Sequence, residues 1–272
     1  MDTRMAPPGP QDRHPTGGSA GICARKRADD RRRPGRLTRA ARAGALALCL
    51  LLPLPLSLPA HADISKGCRV PDIFLTFDSD LKRTERLVDR SAPVRILLLG
   101  PNPERQALSQ KKRTRLELEL NRRLPDIRFS IVDEGPSRGL VDDDFERLRG
   151  AVDRVQPDLI IWQVGTGDAL AATDADAFAR TLGRAADWLK GRNIDLVLID
   201  PPFIAGVPHE HLYGRMVDQI DALSDRQGMN VVQQYQATNW LHRSADPALK
   251  GMDARLCMPE LVAEAIVRAA TR

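Results

Sequence analysis

Residues 63–272 predict a three-layer α/β/α domain built on a parallel five-stranded sheet, and three observations support this. Short, largely apolar runs recur, of which VRILLL, LIIW and IDLVLI are the clearest. Stretches with helical periodicity separate each run from the next, so consecutive strands read as joined by crossovers. Runs that are apolar at nearly every position, rather than at alternate ones, suit strands covered by helices on both faces.

In chain order, Pro71 to Val88 is an N-terminal arm containing a helix. Val94–Leu99 is the first strand. Glu104–Leu124 is a long helix whose Leu108, Leu116, Leu120 and Leu124 fall mostly on one face. Ile127–Val132 is the second strand, Asp142–Val155 the second helix and Leu159–Val164 the third strand. Ala175–Lys190 is a helix with Gly191 near its stop. Ile194–Ile199 is a strand ended by Asp200-Pro201-Pro202, because proline cannot donate to a ladder. Glu210–Arg226 is a helix, Asn230–Gln234 a weaker fifth strand and Pro259–Ala270 a closing helix. In such sheets ligands sit beyond the carboxyl ends of the strands. The turn Gly165-Thr166-Gly167-Asp168 after the third strand is therefore the first place to look for function.

Residues 1–62 read differently. Ala43 to Leu58 is an apolar core interrupted by Pro53 and Pro55, and Ala60-His61-Ala62 is a small-x-small cleavage pattern. A cleavable signal peptide ending at Ala62 is expected, with the remaining domain periplasmic or secreted. The run is shorter than the ~18 to 20 residues that a membrane span needs, so no stable span is expected after cleavage. Residues 1–62 hold 11 Lys and Arg against 4 Asp and Glu, which leaves 30 against 32, a net of −2, for the rest. The basicity belongs to the leader, and nucleic-acid binding is not expected of the domain. Cys68 and Cys257 remain after cleavage, an even pair that suits a disulfide in an exported protein, with two buried thiols as the alternative.

The order of elements, with IIWQVGTGDAL on the third strand, resembles the SGNH (GDSL-type) hydrolase family, whose architecture is flavodoxin-like. RILLLG at Arg95–Gly100 sits where that family has a strand ending in Gly-Asp-Ser or Gly-Ser-Ser. IVDEGPSRG at Ile131–Gly139 resembles its second block, WQVGTGDAL its third, and Asp246 to Cys257 the Asp-x-x-His segment before the last helix. CxVP at Cys68–Pro71 resembles the opening of a subgroup, and this supports pairing Cys68 with Cys257.

The resemblance implies ester hydrolysis by a Ser nucleophile, a His base and an orienting Asp, with an oxyanion hole of backbone and Asn donors. Carried onto this chain, the Ser position falls on Asn102, the oxyanion Gly on Arg138 with Gly139 next, the Asn on Gly167 and the His on Leu249. In a second register, which takes Asp253 as the Asp, the His position falls on Leu256. Only Asp246 matches. Nucleophile, base and an oxyanion donor are missing together, and losing the nucleophile or base alone costs about a millionfold in a protease example.

Ser137 and Thr166 are displaced candidate nucleophiles, with Ser137 more simply a turn hydroxyl, and Asp168 is more simply a helix N-cap or loop carboxylate than an acid catalyst. His242 and His209 are displaced candidate bases. His209 and His211 are spaced for chelation but have no second ligand cluster, so neither a metal nor another cofactor is expected. Basic residues around Lys111, Lys112, Arg113 and Arg115 form a solvated face or meet an anionic partner. The sequence therefore predicts an exported SGNH-like protein that binds envelope carbohydrate or an acylated small-molecule ligand without ordinary hydrolysis. The alternative is an esterase or deacetylase using displaced residues.

Overall fold

Strands β1 (Val94–Leu99), β2 (Phe129–Asp133), β3 (Leu159–Gln163), β4 (Asp195–Ile199) and β5 (Asn230–Val232) pair in parallel in the order β2-β1-β3-β4-β5. The computed structural model describes residues 63–101, 114–135, 137–206, 210–244 and 254–272. Because β1 lies between β2 and β3, the direction in which strands are added reverses there. Such a reversal opens a crevice at the carboxyl ends of the two strands.

Alternation along β3 divides the core. Leu159 and Ile161 face a layer with α2 (Arg115–Arg123) and α8 (Met258–Ala270). Ile160 and Trp162 face the other, with α3 (Val141–Val155), α5 (Ala175–Lys190) and α6 (Glu210–Gln227). All four side chains are fully buried, and each contributes roughly 1.5 to 3 kcal/mol on transfer from water. A disulfide joins Cys68 to Cys257 across a sequence separation of 189. It ties the N-terminal arm to the start of α8 and restricts the unfolded chain by about 5 kcal/mol on the entropic model.

The sequence-based boundaries hold to within a residue or two except at three places. The helix expected from Glu104 has its N-cap at Thr114, whose Oγ1 accepts from Glu117 N at 3.0 Å; residues 104–113 of that expectation lie outside the described residues. The loop after β3 turns at once into a short helix, α4 (Thr166–Leu170), which the sequence reading leaves as a turn. The fifth strand ends at Val232, and Gln234 opens an unforeseen helix, α7 (Gln234–Arg243).

Among the helices that lack a side-chain cap from their own N-cap residue are α1 (Lys82–Asp89), α3 and α7. Each receives a carboxylate from an aspartate at or just beyond a strand end instead. Asp195 accepts from Thr84 N at 2.7 Å, Asp168 from Val141 N at 3.1 Å, and Asp200 from Tyr235 N at 3.0 Å. The orphan N–H groups of a helix start favour negative charge, so these contacts fix each helix against the sheet.

Candidate functional site

Three loops meet beyond the carboxyl ends of β1, β2 and β3. Gly100 closes β1 with φ +99°, and a Cβ there would lie 2.3 Å from Gln163 O on β3. Only glycine allows this approach. Gly167 is tighter still: its Cβ would lie 2.1 Å from Arg138 O and 2.5 Å from Gly139 O. Gly139 in turn packs on Pro101, whose Cδ would be 3.1 Å from an added Cβ. The β2 loop thus presses two carbonyl oxygens against the first turn of α4.

Side chains around this junction bond mainly to the fold itself. Ser137 Oγ donates to Asp144 Oδ2 at 3.2 Å and accepts from Gly139 N at 3.0 Å. Arg147 reaches the same loop, donating to Glu134 O at 2.9 Å and facing Asp144 Oδ1 at 3.4 Å. Burial raises the Asp144 carboxyl above the usual range, while Ser137, Trp162 and Arg147 oppose the rise. Arg138 is exposed and pairs with Asp143 at 3.2 Å, a surface contact of small energy. Asp168 is buried, and that burial raises its carboxyl to about 6 against hydrogen bonds from Val141 and Thr173, with the Asp142 charge adding to the rise. Thr166 Oγ1 is buried without a hydrogen-bond partner.

The other sequence candidates are spread out. His242 is exposed on α7, its ring 5.6 Å from that of Phe203. Across the sheet order, the β2 loop of Ser137 and the β5-to-α7 segment lie at opposite edges. At about 4.8 Å per strand that separation is roughly 19 Å. Ser137 therefore meets Asp144, and among the described residues the structure does not bring it to an imidazole. Leu256 is exposed next to the disulfide, and His211 is exposed on the first turn of α6. Asn102, His209, Asp246, Leu249 and Asp253 lie outside the described residues.

A second group escaped the sequence reading. Asp200, directly after β4, is fully buried, and its Oδ2 has no partner. Burial holds its carboxyl well above the normal range, and the Asp221 charge adds to this. Gln163 Nε2 donates weakly to Gln234 Oε1 at 3.4 Å across the ends of β3 and α7. The acidic stop Asp200-Pro201-Pro202 was the available signal, although its target helix was not recognised. Among the described residues no group of three His, Cys, Asp or Glu could hold a metal, and no helix is long and apolar enough to cross a membrane.

Comparison with known proteins agrees with the sheet topology. An acetyl-xylooligosaccharide esterase mutant of Axe2 from Geobacillus stearothermophilus superposes with a TM-score of 0.53 at 15% identity, covering 65% of this chain and 94% of that one. A catalytic mutant of the same acetylxylan esterase gives 0.51 at 16% identity, over 65% and 94%. The acetyl xylan esterase AlAXEase gives 0.51 at 15% identity, over 65% and 99%. At such identities the likeness is one of fold, and that fold is the SGNH-hydrolase-like α/β fold. No curated protein matches the sequence. The family model described as the Non-GDSL lipase-like family matches residues 67–272, so this chain is a member of the Non-GDSL lipase-like family.

Proposed function

We propose that this protein is exported and binds envelope carbohydrate or an acylated small molecule at the strand ends, without ordinary ester hydrolysis. The observation that carries this reading is the packing of Gly167. An oxyanion hole needs preplaced donors. At the position onto which the family's Asn falls there is no room for any side chain, and the nearest atoms are the acceptor oxygens of Arg138 and Gly139. The commitment of Ser137 Oγ to Asp144 and Gly139 N supports the same reading. The Cys68–Cys257 disulfide favours an oxidising compartment, hence a periplasmic or secreted domain beginning at Asp63.

One observation favours the second reading, an esterase or deacetylase using displaced residues. The Thr166 hydroxyl lies on the third-strand loop and is not committed to any partner. Turnover of short-chain aryl esters and of an acetylated sugar separates the two readings. The purified, disulfide-bonded protein is expected to give no rate above buffer. A rate abolished by Thr166→Val or Ser137→Ala would establish the esterase.

A further inference from the structure

The carboxyl ends of β4 and β5 carry an aromatic cluster outside the family's motif blocks. Phe203, in the loop after β4, stands edge-to-face with Tyr235, centroids 5.5 Å apart at 89°, and 5.6 Å from His242. Tyr235, Thr238 and His242 fall at i, i+3 and i+7, on one face of α7. Thr238 Oγ1 accepts from Phe203 N at 2.8 Å and pins the loop to that face. Phe203 and Tyr235 are half-buried and His242 is exposed, so the cluster is reached from solvent.

Acidic side chains act on its tyrosine. Tyr235 feels the charges of Glu210 and Asp218 on α6, which add to burial in holding its hydroxyl up. Neither carboxylate forms an ion pair among the described residues. Asp200 lies at the foot of the cluster, bonded to the Tyr235 amide, fully buried and with Oδ2 unpartnered. Aromatic faces attract cations, most strongly where neighbouring carboxylates reinforce them and water is partly excluded. An anion would be repelled, and a neutral ring would gain nothing from Glu210 and Asp218.

We propose that the Phe203–Tyr235–His242 cluster, flanked by Glu210 and Asp218, binds a small organic ammonium group. A lipid headgroup and an amino sugar share that chemistry. The proposal rests on the binding reading above only in placing a ligand at the strand ends. Ester turnover and ammonium binding are read by separate assays, so either can fail alone.

The test is calorimetric titration of the purified protein at low salt with choline, its neutral carbon isostere 3,3-dimethylbutan-1-ol, glucosamine and N-acetylglucosamine. Choline or glucosamine is expected to saturate and to bind about tenfold tighter than its neutral counterpart. Glu210→Gln combined with Asp218→Asn, both on the α6 surface near the cluster, is expected to weaken the cation about fivefold and leave the neutral ligand unchanged. Phe203→Ala is expected to abolish binding of both. Tighter choline assigns a quaternary headgroup and tighter glucosamine an amino sugar, and each supports the site. Equal affinity for charged and neutral ligands, an affinity indifferent to loss of the two carboxylates, or no saturation by any of the four ligands overturns it.

Discussion

Asp168, shortly after β3, and Asp200, directly after β4, each carry a buried carboxyl to the first turn of a helix from elsewhere in the chain, Asp168 to Val141 of α3 and Asp200 to Tyr235 of α7. Their surroundings differ. Asp168 is bonded from both Val141 and Thr173, beside glycines packed against carbonyls. Asp200 keeps one oxygen unpartnered, beneath an aromatic cluster open to solvent. The ends of β1 to β3 are thus a close-packed joint in which the unpartnered Thr166 hydroxyl is buried, whereas the ends of β4 and β5 hold an unpartnered carboxyl oxygen beneath aromatic groups open to solvent. In this member of the Non-GDSL lipase-like family the proposed ammonium site lies to one side of the switch point.

The comparison breaks most sharply at Gly167. Gly167→Ala drives a methyl into two carbonyl oxygens and is expected to cost about 4 kcal/mol or more, read by urea unfolding; a loss under ~1 kcal/mol would mean that the joint is soft. Gly167→Asn, which restores the family's residue type, is expected to destabilise as much and to bring no esterase activity.

The two aspartates come next. Each folded pKa lies above the unfolded value of 3.8. Each group's contribution is therefore complete below that value and is lost as pH rises through the folded pKa. For Asp200, burial holds the carboxyl well above the normal range, so the loss begins at the unfolded value and continues as pH rises. Asp200→Asn keeps an acceptor for Tyr235 N and is expected to gain stability over its parent across that whole window. For Asp168, at about 6, the loss ends near neutrality and amounts to about 3 kcal/mol, at 1.36 kcal/mol per unit. Asp168→Asn is expected to remove that slope between pH 4 and 7, measured as unfolding free energy against pH. Identical windows for the two variants would erase the distinction between the sites. The smallest effect is at Thr166. Its hydroxyl has no partner to lose, so Thr166→Val is expected to change stability by less than ~0.5 kcal/mol.

Local signals explain what the sequence made legible. The helix Ala175–Lys190 matched its expected bounds because Asp174 caps it within its own segment, accepting from Ala177 N. Thr114 and Glu117 form a Thr-x-x-Glu capping signature that could have placed the start of α2 at Arg115. By contrast α7 begins without a local cap, and its carboxylate comes from Asp200, 35 residues earlier. The capping role expected of Asp168 holds, yet the helix it caps lies 27 residues upstream. Sequence could show that Gly167 lacks a donor, but not that the backbone leaves no space for one, because that depends on where the β2 loop settles.

The most direct measurement of the central claim is the intact mass of the folded protein after exposure to an activated phosphonate ester, which adds a phosphonyl group to an activated hydroxyl nucleophile. The closed joint at β1 to β3 predicts an unmodified mass. A stoichiometric adduct on Thr166 or Ser137, lost on unfolding before exposure, would contradict it.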